Sequence, residues 1–105
     1  MKIKVEMLEG DIVRSMKSNN FSPIQLCSAR ALKDDPRNVE AGYDSVIVWN
    51  DDINDYTSYR YCTEDINLVK SFLDEWNDYA DGNLVDFSLS PIVFCIEEKK
   101  FKHTA

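Results

Sequence analysis

A single histidine and only three glycines exclude most catalytic chemistry at the outset. A serine or cysteine nucleophile needs a base held beside it. The one histidine, His103, stands among the last three residues of the sequence, where it is hard to hold in register. Three glycines cannot build a phosphate cradle, and neither a GxGxxG nor a P-loop pattern occurs, so no nucleotide cofactor is expected. The three cysteines, Cys27, Cys62 and Cys95, are far apart and form no CxxC pair, which leaves a zinc site without support. They read as buried free thiols, the usual fate of cysteine in apolar surroundings. No apolar run approaches the roughly 20 residues of a membrane span. Lys2, Lys4 and Glu6 put charge where a signal peptide needs an apolar stretch. The expectation is therefore a cytoplasmic protein that does not engage membranes. Its basic residues are outnumbered, 12 against 19 acids, and scattered, which argues against direct contact with nucleic acid.

What the chain does have is negative charge, concentrated in one stretch. From Glu40 to Asp86 there are twelve acids, opposed only by Arg60 and Lys70, a net of −10; the remainder carries +3, and together they make the −7 of the whole. Such a field attracts basic protein surfaces and repels nucleic acid and anionic membrane. With 105 residues and 44% hydrophobic content, the chain suits one domain with an ordinary core.

Residues 2–7 alternate, with Ile3, Val5 and Met7 on one side, which predicts a half-buried strand. Ile12, Val13 and Met16 have helical spacing, with Asp11 as N-cap and Asn19-Asn20 as stop; a strand in a hairpin across Glu9-Gly10 fits as well. Ser22-Pro23-Ile24-Gln25 is a capping box with proline at the first helical position. It opens a short helix through about Lys33, although Ile24 and Leu26 also fit a strand. Residues 34–38 form a loop. Ser45-Val46-Ile47-Val48-Trp49 reads as an almost continuously apolar, buried strand and Tyr56 to Cys62 as a second, joined by an acidic hairpin loop from Asn50 to Asp55. Thr63 as N-cap, Glu64 and Asp65 in the first turn, and Ile66, Val69, Leu73, Trp76 and Ala80 at helical spacing predict a helix over about 64–81, ended by Gly82. Val85 to Leu89 and Ile92 to Ile96 alternate as strands around Pro91, and the residues from Lys99 on are expected to fray. The fold class is α+β: an antiparallel sheet of four or five strands, with the long helix packed on one face above Ile66, Val69, Leu73 and Trp76.

Within the acidic stretch, Asp51-Asp52-Ile53-Asn54-Asp55 lacks the glycine and phase of a calcium loop, leaving a solvated hairpin tip or a partner-binding loop. Asp74, Asp78 and Asp81, spaced four and three apart, form one row on the helix. Like charges at that spacing cost a helix about 0.2–0.5 kcal/mol per pair, and Lys70 relieves only Asp74. Tyr59 and Tyr61 share a strand face while Tyr56 points the other way, and tyrosine suits both sheets and interfaces.

These features point to an inhibitor that presents an acidic surface to a basic nucleic-acid-binding protein such as a nuclease, and not to an enzyme. Carboxylates one helical turn apart resemble phosphates spaced along a nucleic-acid strand, so a Lys/Arg-lined groove would take this surface in their place. The candidate contacts are Asp51, Asp52, Asp55, Asp74, Glu75, Asp78 and Asp81, with Tyr56 and Tyr59 as apolar anchors. No cofactor and no metal enter this reading. An immunity protein or antitoxin that neutralises a nuclease toxin would use the same composition; a small metal-binding enzyme and a structural phage component are more distant alternatives.

The order of an Asp/Asn-rich hairpin (Val46 to Tyr61), a capped helix with Phe72 and Trp76, and further acids resembles small acidic phage anti-CRISPR proteins that block Cas9. The resemblance covers about residues 45–86. It implies that Asp51, Asp52, Asp55 and Asp74 occupy the groove where the nuclease reads DNA, inside a bacterial host cell. The basic N-terminal third and Lys99-Lys100-Phe101-Lys102 depart from a fully acidic mimic.

Overall fold

Five strands and three helices are built by residues 2–18, 21–50, 55–80 and 89–99, the residues described by the computed structural model. The strands are β1 (Lys2–Glu6), β2 (Val39–Ala41), β3 (Ser45–Asn50), β4 (Asp55–Tyr61) and β5 (Val93–Lys99). The helices are α1 (Glu9–Ser18), α2 (Pro23–Ala31) and α3 (Ile66–Ala80). One antiparallel sheet has the order β1-β5-β4-β3-β2, so the fold is α+β.

The register explains which side chains meet. Ile3 pairs with Ile96 and Val5 with Phe94, Ile96 pairs with Tyr61, Tyr59 with Val46, and Val48 with Val39. Because strand side chains alternate, all of these stand on one face. Val5, Val39, Val46, Tyr61, Phe94 and Ile96 join one hydrophobic cluster with Ile12 of α1, Ile24 and Cys27 of α2, and Val69, Phe72, Leu73 and Trp76 of α3. Fully burying a side chain of this size contributes about 1.5–3 kcal/mol. The other face carries Lys4, Arg60, Glu97 and the aromatic pair Trp49 and Tyr56, which are 40% and 45% exposed.

Each helix is fixed by its ends. For α2 the capping box forms as expected: Gln25 N–H donates to Ser22 Oγ at 3.2 Å, and Ser22 N–H donates to Gln25 Oε1 at 3.4 Å. The same Gln25 turns its amide Nε2 toward the next segment, donating to Pro36 O at 3.0 Å and Val39 O at 2.6 Å. At its far end α2 closes with Asp34 N–H to Ala29 O and Lys33 N–H to Arg30 O, with Lys33 left-handed at φ 55°. This is the Schellman arrangement, in which glycine is the usual occupant.

Several expectations are corrected. Asp11 does not cap α1 from outside; it sits in the first turn, and its carboxylate accepts the Leu8 N–H at 2.8 Å. The helix begins two residues earlier, at Glu9, which excludes a Glu9-Gly10 hairpin. Thr63 is likewise not a cap but the first residue of a 3-10 turn (Thr63–Asp65) that leads into α3 at Ile66. That turn is held to the sheet by Asp65, whose Oδ2 accepts Cys95 N–H at 2.9 Å. β3 is only half-buried: Val46 is buried, but Ile47 and Val48 are partly exposed and Trp49 lies on the open face. Cys95 is half-buried, not buried like Cys27 and Cys62. The three-residue β2 has no periodic signal to read. Asn19-Asn20, the hairpin residues 51–54, Gly82, the Val85 to Ser88 part of the anticipated strand, and the end from Lys100, including His103, lie outside the described residues.

Candidate functional site

The candidate acids fall into two groups, set by the strands and helix that carry them. On α3, Asp74, Glu75 and Asp78 are exposed opposite the buried stripe of Val69, Phe72, Leu73 and Trp76. This is the amphipathic periodicity of the helix expressed as charge. Asn77, on the next turn from Asp74, donates from Nδ2 to the hydroxyl of Tyr43. Tyr43 lies in the turn between β2 and β3, which also holds the exposed Asp44. The turn is itself anchored: Tyr61 donates its hydroxyl to Gly42 O at 2.7 Å, and Gly42 N–H donates to Ser45 O at 2.9 Å. Burial above all, with Asp44 nearby, holds the Tyr61 phenol protonated well above its ordinary range. Tyr43 and Asp44 therefore join the α3 acids in one neighbourhood, which sequence reasoning misses. The available signal is Gly42, since a glycine-opened turn between two strands brings Tyr43 and Asp44 to the surface.

The second group stands at the other end of β3. Asn50 pairs with Asp55 across the β3–β4 hairpin, and the length of β3, about 17 Å, separates this end from Tyr43. Asp55 is exposed and accepts the Tyr56 N–H at 2.7 Å. Tyr56 packs on Trp49 with ring centroids 5.1 Å apart. The apolar run from Val46 to Trp49 predicts a core position for Trp49. Strand alternation places it instead beside Tyr56, with Ile47.

Tyr59 is not part of that aromatic pair. It stands on the opposite sheet face from Tyr56, half-buried, lining a cleft of about 450 Å³ with Asp34, Asn38, Val48, Trp49 and Thr57. Burial, and then the carboxylates of Glu98 and Asp34, raise its phenol above the ordinary 10.0. Asp51, Asp52 and Asp81 lie outside the described residues.

The distribution of ion pairs separates the acids further. Arg30 grips Asp11 through two bonds of 2.7 and 2.8 Å, Arg37 pairs with Asp35 at 2.8 Å, Lys4 with Glu6 at 3.1 Å, Lys2 with Glu64 at 3.6 Å, and Arg60 with Glu97. The Arg37 guanidinium holds the Asp35 carboxyl down to about 2, and Arg60 lowers that of Glu97. Among the described residues, Asp44, Asp55, Asp74, Glu75 and Asp78 enter no ion pair, and neither do Glu9, Asp34, Glu40, Asp65 and Glu98, so it is their grouping on α3 and at the strand turns that sets the first five apart. Lys70 precedes Asp74 by four residues but does not pair with it, in keeping with the weaker of the two sequence orders for such pairs. No set of three or more His, Cys, Asp or Glu side chains gathers as a metal site among the described residues. No helix among them is long and apolar enough to cross a membrane. No family model, curated protein or solved structure matches this chain.

Proposed function

We propose that the protein is a small inhibitor that binds a basic nucleic-acid-binding protein through the acidic surface of α3. In this reading α3 lies across one face of the sheet, so that Asp74, Glu75 and Asp78 project outward together with Asp44. The observation that carries it is the division of charge. Among the described residues, the arginines and lysines that form ion pairs all serve acids elsewhere, and the exposed acids of α3 and the two strand turns remain uncompensated. A row of like charges costs a helix stability, so its benefit lies in attracting a positive surface. Attraction over a Debye length speeds encounter and is weakened by salt. Charge alone gives steering more than affinity, and the exposed Trp49–Tyr56 pair supplies an apolar anchor beside Asp55. Because the two groups stand at opposite ends of β3, the partner is one whose basic surface extends along a groove, as in proteins that track a nucleic-acid strand.

The test is affinity capture from a nuclease-treated bacterial lysate, with bound proteins eluted by a salt gradient and identified. The variant carries Asp74→Asn, Glu75→Gln and Asp78→Asn. The expected result is one basic nucleic-acid-binding protein that wild type retains, salt releases and the variant loses. Equal retention by both proteins, or no specific partner, overturns the helix surface as the working face.

A further inference from the structure

Two of the three cysteines meet across the sheet. The β4–β5 register pairs Tyr61 with Ile96, so Cys62 and Cys95 are the next opposed pair. The backbone bears this out, with Cys62 N–H donating to Cys95 O at 2.8 Å. Residues directly opposed on antiparallel strands have Cα atoms about 4.5–5.5 Å apart, within the roughly 4.4–6.8 Å that a disulfide spans. By alternation both side chains leave the sheet on the face opposite Tyr61 and Ile96. Both are free thiols, and Cys95 is the more exposed of the two. Cys27, the remaining cysteine, is buried on α2 in the core cluster of the other face.

We propose that Cys62 and Cys95 form a dithiol site that a low-molecular-weight disulfide oxidises to a cross-strand disulfide. This inference rests on the sheet geometry and is independent of the inhibitor reading. Cys95, the accessible thiol, loses its proton and attacks one sulfur of the small disulfide, expelling a thiolate that takes up a proton. Cys62 then loses its proton and attacks the Cys95 sulfur of the mixed disulfide, expelling the second small thiol. Two electrons pass from the cysteines to the reagent, one sulfur–sulfur bond breaks and one forms. Burial and the adjacent Cys95 hold the Cys62 thiol up at about 12, with the Lys2 ammonium drawing it down. This favours Cys95 as first attacker and Cys62 as resolver. The bond would covalently close the junction where the chain leaves β4 for α3, now held by the Cys62–Cys95 and Cys95–Asp65 hydrogen bonds.

The full chain is incubated with graded ratios of oxidised to reduced glutathione, then alkylated, weighed intact and mapped. The expected product has lost two hydrogens, joins the Cys62 and Cys95 peptides, leaves Cys27 alkylatable on unfolding, and melts roughly 10 °C higher than the reduced chain. Cys62→Ser is expected to stop as a glutathione adduct on Cys95, and Cys95→Ser to gain no adduct. A wild-type chain that stays fully alkylatable in the oxidising buffer, that links through Cys27, or that cross-links only between molecules overturns the proposal, and this readout does not depend on either variant folding.

Discussion

Asp11 shows how one residue can serve three elements. It is 7% exposed, accepts the Leu8 N–H that opens α1, and takes two hydrogen bonds from Arg30 at the end of α2. Arg30 also donates to Glu6 O at 2.7 Å, tying in the end of β1. Burial alone would raise the Asp11 carboxyl. It is outweighed by the Arg30 and Leu8 hydrogen bonds and by the charges of Arg30 and Arg14, so the group sits below its ordinary 3.8. A carboxyl depressed on folding contributes stability above its unfolded value and loses it as pH falls through the folded one. Asp11→Asn is therefore expected to cost about 1–2 kcal/mol near neutral pH, between an exposed pair and a fully buried one because Arg30 is half exposed. The gap between variant and wild type should close as pH drops below the ordinary 3.8 and on through the lowered folded value. Urea unfolding midpoints across that range measure it; a constant gap would show that packing, and not the ionised pair, is what Asp11 provides.

At the level of elements, Gln25 joins α2 to the edge of the sheet. Its oxygen completes the capping box, and its nitrogen donates to Pro36 O and Val39 O. The capping function is visible in Ser22-Pro23-Ile24-Gln25, whereas the second function is not, because Pro36 and Val39 approach Gln25 only in the folded chain. The same long-range contact explains why β2 is invisible in the sequence: three residues carry no period, and the strand is defined by α2 on one side and Val46 to Val48 on the other. Gln25→Leu should destabilise the protein by about 2 kcal/mol, from two part-buried carbonyls losing a donor and the Ser22 N–H losing its acceptor in the capping box. Hydrogen exchange should accelerate in β2 and its β3 partners more than in the β1–β5 pair. Uniform acceleration across the sheet would show that Gln25 supports the whole fold and not its edge. Where period and caps are strong, as in β1, α2, α3 and β5, the elements are legible within a few residues. Boundaries fail where a local signal has two readings: Thr63 and Asp11 both look like caps, but Thr63 opens a 3-10 turn whose Asp65 binds the sheet, and Asp11 sits in the first turn of α1 with Arg30 on its carboxylate. The site is legible in composition but not in arrangement. Spacing finds the acids of α3, but their association with Tyr43 and Asp44, and the separation of Asp55 from them, depend on strand order.

For the whole molecule, the question is whether the uncompensated acids cost stability, as the inhibitor reading requires. The total charge is −7, and among the described residues five ion pairs absorb basic residues away from α3. Asp74 with Asp78, and Glu75 with Asp78, are like-charged pairs at helical spacing, each worth about 0.2–0.5 kcal/mol of repulsion. Replacing them by Asp74→Asn, Glu75→Gln and Asp78→Asn should stabilise the isolated protein by about 0.5–1 kcal/mol at low salt, while weakening retention by a basic partner. Added salt screens repulsion between exposed charges, so wild type should gain more stability from it than the variant, and the two should converge. Thermal unfolding of both proteins at low and high ionic strength reads this directly. A variant less stable than wild type would mean that the acids are structural, and their concentration on α3 would then carry no information about a partner. A variant that is more stable yet no longer binds would place the acidic surface among features kept for what they bind at the expense of the fold.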